Sequence, residues 1–300
     1  MNAALSLRST RSTHDPKLLA KLATAAHAIR TVSIAAIYHA GSGHPGVALS
    51  AADLLAVLYG AEMNIWPERL SDPDRDRFVL SKGHAEPALY AAGAHFGFCS
   101  ADEALSLRKL GSPFQGYPHV CDLSWVETST GSLGQGFSVA LEMAMELKRK
   151  KSPARVYAML GDGEFQVGEV WDAAMCAAHH KIDNLVAIVD YNKLQSDDCN
   201  DSIMGLEPLA QKIRTSGWHV IEIDGHDLDA ILSALEEAYE TAGKPSLIFA
   251  HTLKGKGVCA MENIPHWHGS MKLTRRQAED ALAQLDVETA EFGRLLDVRH

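Results

Sequence analysis

Val156-Tyr157-Ala158-Met159-Leu160-Gly161-Asp162-Gly163-Glu164 and Leu185-Val186-Ala187-Ile188-Val189-Asp190-Tyr191-Asn192-Lys193-Leu194 decide the fold. Each opens with an uninterrupted apolar run, the mark of a strand covered on both faces. Between them, Glu169 to Lys181 is a stretch of helix length. A strand, a crossover helix and a parallel strand bring Asp162 and Asn192 to one edge of a sheet. A hard divalent cation takes oxygen ligands of this kind and is often shared with a phosphate. The glycines flanking Asp162 allow a phosphate to approach the backbone. Gly-Asp-Gly alone is a common turn. The companion asparagine after a second strand turns it into the pattern of a metal-bridged diphosphate site.

Working outward, the same alternation recurs. Candidate strands are Arg77 to Leu80, Val220 to Ile223 and Leu247 to Ala250, besides the two above. This is an α/β pattern, a parallel sheet with helices on both faces. Asp15-Pro16 supplies an N-cap and a first-turn proline for a helix that runs to Gly41. A second helix is expected from near Ser50 to about Tyr59, another from Phe137 to about Lys148, and one from Thr274 with a Thr274–Gln277 capping box. The stretch from Gly111 to Thr130 is Gly/Pro-marked and without period, and loops that long inside a compact domain are usually functional. Residues 16–300 are expected to form a single domain after a flexible N-terminal stretch, 1–15.

With 46% hydrophobic residues, the 300-residue chain can bury one large core. Its formal net charge of -10 argues against non-specific nucleic-acid binding, which needs a basic face. No apolar run reaches the roughly 18 residues of a membrane span, so no membrane partner is expected. Met1 to Asp15 lacks the apolar core of a secretory signal. The five cysteines are dispersed, with no C-x-x-C spacing, which fits reduced thiols and a cytoplasmic location.

Each expected strand is followed by an unusual polar turn: Ser81-Lys82-Gly83-His84, Gly161-Asp162-Gly163, Tyr191-Asn192, Gly225-His226-Asp227 and Thr252-Leu253-Lys254-Gly255-Lys256-Gly257. Open parallel sheets bind ligands beyond the carboxyl ends of their strands, so five such turns on one edge describe one site. Gly131-Ser132-Leu133-Gly134-Gln135-Gly136 precedes a helix and would offer free backbone N–H groups to an anion. His44, His84 and His268 each stand beside glycine in a turn. A lone histidine is more often surface or core. Three in such turns suit proton transfer around a polar substrate. A histidine zinc site is the rival, disfavoured because none of the three shows paired helical spacing. Lys148-Arg149-Lys150-Lys151 is expected to be a solvated helix end, and His179-His180 surface.

Ser42-Gly43-His44-Pro45-Gly46, Ser81-Lys82-Gly83-His84-Ala85, Ser129-Thr130-Gly131-Ser132-Leu133-Gly134-Gln135-Gly136, Gly161-Asp162-Gly163-Glu164 with Asp190-Tyr191-Asn192, Leu253-Lys254-Gly255-Lys256-Gly257, and Met261-Glu262-Asn263 with His266-Trp267-His268-Gly269 occur in this order. Together they resemble the thiamine diphosphate-dependent transketolases, from about Leu18 to Leu273. The likeness is to the amino-terminal half, as in transketolases split into two chains. It implies that Asp162 and Asn192, with the Leu194 carbonyl, bind Mg2+, for which Ca2+ or Mn2+ can substitute. It implies that His84, Gly131, Ser132, Leu133, Gly163, Asn192 and His268 hold thiamine diphosphate, that His44 and His268 face the sugar, and that Asp172 lies near a subunit interface. The implied reaction is transfer of a two-carbon ketol unit from a ketose phosphate to an aldose acceptor.

Two positions depart from the family. Gly116-Tyr117-Pro118 replaces Gly-His-Pro, with His119 one step later, and the family's histidine touches the donor. Val167 replaces a glutamate of an interface carboxylate network. The family's activating glutamate and pyrimidine pocket lie in a further domain that these 300 residues do not contain. The resemblance therefore implies a carboxy-terminal partner subunit in an α2β2 complex. The alternatives are the α chain of another thiamine enzyme, such as a 2-oxo acid dehydrogenase, and a cofactor-binding or regulatory subunit without turnover.

Overall fold

The computed structural model describes residues 15–196 and 198–297. The expected N-terminal stretch, apart from Asp15, lies outside them. All five expected strands form: β1 (Arg77–Leu80), β2 (Val156–Gly161), β3 (Leu185–Tyr191), β4 (His219–Asp224) and β5 (Ser246–His251). They make one parallel sheet in the order β1-β2-β3-β5-β4.

Both faces of the sheet are covered, as the uninterrupted apolar runs require. Successive side chains of a strand point to opposite faces. Tyr157 and Met159 of β2, with Val186 and Ile188 of β3, join one apolar cluster. Val156, Ala158 and Leu160, with Leu185, Ala187 and Val189, join the other. The first cluster is closed by α1 (Pro16–Ala40), α2 (Pro45–Val57), α3 (Glu86–His95), α9 (Leu228–Glu240), α10 (Arg275–Gln284) and α11 (Thr289–Leu296), with the short α4 (Ala101–Leu105) at its rim. The second is closed by α5 (Gln135–Arg149), α6 (Gly168–His179) and α8 (Leu209–Thr215). A short α7 (Asn200–Ile203) follows β3.

The expected end signals are used. The Asp15 side chain accepts the Lys17 N–H at 3.0 Å, and Gly41 ends α1 in the left-handed region at φ 67°. Thr274 and Gln277 form the expected reciprocal cap of α10. The second helix differs from expectation. It starts at Pro45, five residues before Ser50, because proline presets the first helical φ. It passes into a π-helical turn over Leu58–Glu62. His44 thereby sits at the start of a buried helix. No helix or strand occupies 111–130. By length and composition α1 could cross a membrane, but half of its apolar window is buried within the protein.

Candidate functional site

Asp162 stands where β2 ends and a 3-10 turn begins. Its Oδ1 accepts the Gly163 N–H at 2.8 Å and its Oδ2 the Lys193 N–H at 2.5 Å. Lys193 lies in the left-handed region at φ 62°, among backbone conformations uncommon outside glycine. Asn192 Oδ1 accepts the Leu194 N–H at 3.1 Å. Burial pushes the Asp162 carboxyl up to about 6, helped by Asp190 and opposed chiefly by the Lys193 N–H. A buried carboxylate with only two backbone partners has lone pairs left for a cation. Asp162, Asn192 and Leu194 line one cleft of about 190 Å3 with Gly163, Leu133, His84 and His268. Among the described residues no three His, Cys, Asp or Glu side chains form a metal cluster. The donors here are one carboxylate, one carboxamide and one carbonyl, the oxygen set of a hard cation. A hard cation fits this set, and the backbone at Gly163, where an added Cβ would touch nothing closer than 3.8 Å, leaves room for a diphosphate beside it.

The floor of the cleft is ionic and buried. Lys82 pairs with Asp190, which also accepts from Ser50 Oγ at 2.6 Å and from Thr252. Glu164 collects three donors: Ser81 Oγ at 2.6 Å, the Gly134 N–H at 3.0 Å and the Gly161 N–H at 2.8 Å. It thereby ties the Gly131–Gly134 turn to the ends of β1 and β2. Gly83 permits a close approach: a Cβ there would stand 2.8 Å from Thr130 Oγ1 and 2.9 Å from the Gly131 nitrogen. Lys254, also fully buried, donates to the Leu194 carbonyl at 2.9 Å and meets His268 Nδ1. Burial lowers its ammonium to about 8, against the pull of Asp162 and Asp190. Lys82 and Lys254 thus bring positive charge to a cleft that also holds the buried carboxyls of Asp162, Glu164 and Asp190.

The three histidines meet. Ring centroids are 5.5 Å apart for His44 and His84, 5.3 Å for His84 and His268, and 6.2 Å for His44 and His268. Burial, then Arg108 and Lys254, lowers His44 to about 4. Burial, then Lys254 and His44, lowers His268 to about 3. Burial, then Lys82, takes His84 well below the usual value. All three are neutral rings near pH 7, each able to give one hydrogen bond and accept another.

Residues 22–292 match the model of the transketolase thiamine diphosphate-binding domain. This chain belongs to the transketolase family. It is 43% identical over 268 residues to the 6-deoxy-6-sulfo-D-fructose transketolase subunit of Clostridium sp. (strain MSTE9), covering 88% of this chain and 96% of that one. It is 38% identical over 249 residues to an apulose-4-phosphate transketolase subunit of Phocaeicola vulgatus, covering 83% and 88%. Human transketolase is 39% identical over 272 residues, which is 90% of this chain and 43% of that one. The solved transketolase of Campylobacter jejuni superposes with a TM-score of 0.84 at 30% identity, covering 94% of this chain and 47% of that one. The chain thus spans under half the length of the solved transketolases it matches, and nearly all of the subunit from Clostridium.

The cleft is built by four of the five strand-end turns, the turn after β5 through the contacts of Lys254 with Leu194 and His268. The fifth, after β4, buttresses it from outside. His226 Nδ1 lies 2.7 Å from Asp53, and its Nε2 accepts the Leu253 N–H at 2.7 Å, holding the Lys254 turn from behind. The edge position of β4 explains this difference. Gly131 and Ser132 sit on the turn beside the cleft, while Leu133 lines it. Lys82, Glu164 and Lys254 lie within motifs that the sequence marks, but neither they nor Arg108 are assigned a role there, because residue type does not distinguish a buried charge from a surface one. The signal for Lys254 lies in its own glycine-framed turn. Tyr117 packs its ring on Gly131, where an added Cβ would come within 3.1 Å of it. His119 is exposed and hydrogen-bonds Asp122 at 2.8 Å. Val167 packs against the Gly134 turn, and Asp172 is exposed on α6.

Proposed function

We propose that this chain is the cofactor-holding subunit of a two-chain transketolase, moving a two-carbon ketol unit from a ketose phosphate to an aldose. The observation that carries it is the Asp162, Asn192 and Leu194 oxygen set opening onto the same cleft as His84 and His268. Asp162 and Asn192, with the Leu194 carbonyl, would hold Mg2+. Gly163, the Gly131-Ser132-Leu133 turn, His84 and His268 would hold thiamine diphosphate, with Lys82 and Lys254 offsetting its charge. When bound, that cofactor supplies the electron sink for cleaving a C–C bond. His44 and His268, neutral and adjacent, would pass protons to and from the sugar hydroxyls. Tyr117, packed on the Gly131 turn beside the cleft, would sort donors. Relatives named for 6-deoxy-6-sulfo-D-fructose and for apulose 4-phosphate support a donor other than the common ketose phosphates.

The matched length supports a carboxy-terminal partner; an α2β2 complex in the cytoplasm is proposed with it. The test is reconstitution with such a partner, thiamine diphosphate and Mg2+, across a panel of ketose donors. Ketol transfer is expected only from the mixture. Steady transfer by this chain alone, free of any partner by mass spectrometry, would overturn partner dependence; no transfer from any mixture would overturn the enzymatic assignment.

A further inference from the structure

A buried Glu–Arg contact outside the cleft has no part in the function above. Glu86, the first residue of α3, is fully buried. Its Oε1 accepts Arg108 Nη2 at 2.9 Å, and its Oε2 is buried without a hydrogen-bond partner. The Arg108 guanidinium spreads over three partners. Nη1 donates to Ser42 Oγ at 3.0 Å, Nη2 reaches both Glu86 and His44 Nδ1, the latter at 3.4 Å, and Nε has none. Arg–carboxylate pairs are often two-pronged, fork on fork. This pair instead gives up its second prong to reach the His44 turn. Arg108 also holds a left-handed backbone, φ 58°, fastened by its N–H to Phe114 O at 2.8 Å. A non-glycine residue keeps that conformation only where its surroundings impose it, and such residues cluster at functional sites. Gly116 leaves room for it: a Cβ there would stand 2.9 Å from Arg108 Nε.

A guanidinium has donors only and does not lose its proton. A neutral imidazole nitrogen that faces it can only accept, which places the single proton of His44 on Nε2. We infer that Glu86, acting through Arg108, is a positioning residue that fixes the tautomer and the ring orientation of His44. The inference deepens the proposed role of His44 in substrate chemistry and rests on it, but its readout is His44 itself. Burial pushes the Glu86 carboxyl up to about 8, with Arg108 opposing. Tyr90 is the other titratable group beside Glu86, while His84, His268 and Lys254 surround His44. As Glu86 ionises, it neutralises the Arg108 charge, and His44 becomes more basic.

The experiment labels the histidines of the full chain with 15N and assigns the His44 signals by His44→Asn. The Nε2-protonated form alone is expected in the unsubstituted chain, with signals that shift between about pH 7 and 9 as Glu86 ionises. Glu86→Ala should mix the two tautomers while leaving His84 and His268 signals in place. Glu86→Gln should keep the tautomer and abolish the shift with pH, and it decides alone if Glu86→Ala does not fold. With the partner subunit, Glu86→Ala should lower kcat by about 10- to 100-fold, the range of a small misplacement at a reacting group. If both variants leave the His44 signals and their pH response unchanged, the inference is overturned, even where thermal stability drops. If the signals respond but His44→Asn keeps full turnover, the inference holds and the substrate role of His44 fails.

Discussion

Asp162 Oδ2 accepts the backbone N–H of Lys193 at 2.5 Å, a bond across 31 residues that locks the end of β2 to the end of β3. It holds the Asp162 carboxylate beside Asn192 before any ligand arrives, so both donors are preorganised. Asp162→Ala should therefore weaken Mg2+-dependent thiamine diphosphate binding by more than the about 10- to 100-fold typical of outer-sphere partners. Calorimetry with the partner chain present measures this, and unchanged affinity would refute the metal assignment.

Removing a histidine that moves protons should slow turnover without emptying the site. His44→Ala should lose about 10²–10⁴-fold in kcat, the usual contribution of a general acid–base group, with cofactor affinity unchanged. His268→Ala should lose turnover similarly and also weaken cofactor binding, since His268 lines the cleft and His44 does not. Steady-state rates paired with cofactor titration separate the two.

Tyr117 is half-exposed, with its ring against Gly131. A phenol is bulkier than an imidazole and does not titrate near neutral pH. Tyr117→His should raise kcat/KM for xylulose 5-phosphate relative to the native donor. Competition between two donors reads the ratio, and an unaltered ratio would exclude Tyr117 from donor choice.

Glu86 also sets a pH dependence of stability. Its carboxyl rises from a reference value of 4.5 to about 8 in the folded chain, mainly through burial. For a raised acid, the stabilising contribution is complete below the unfolded value and is lost as pH rises toward the folded one. Glu86→Gln, which cannot ionise, escapes this loss. Its melting temperature relative to the unsubstituted chain should climb between about pH 4.5 and 8 and level off above, as thermal denaturation across that range would record. A difference independent of pH would show that Glu86 is ionised throughout.

The legible part of the site is the part written in backbone terms. Gly83, Gly134 and Gly163 sit in turns whose chemistry is local, and four of the five apolar runs name their own strands because each is buried on both faces, while the edge strand β4 is only partly covered. The start of α2 lies five residues before its expected place, since apolar residues all round a buried helix leave no amphipathic edge to read. Leu194 shows the same limit at the site: residue type says nothing of its backbone carbonyl, which accepts from Lys254 at 2.9 Å where Leu194 lines the cleft.

By itself, the sequence determined the parallel α/β sheet, the strand-end turns that carry Asp162 and Asn192, and the three histidine turns, because each depends on residue type and short-range spacing. Only the tertiary structure decided which charges are buried together. Lys254 lies 60 residues from Leu194, Lys82 lies 108 from Asp190, and Arg108 lies 22 from Glu86 and 64 from His44. A lysine or glutamate has the same letter in water as in a core. Its burial, its shifted ionisation and its partner come from the strand order that sets β5 beside β3 and leaves β4 at the edge.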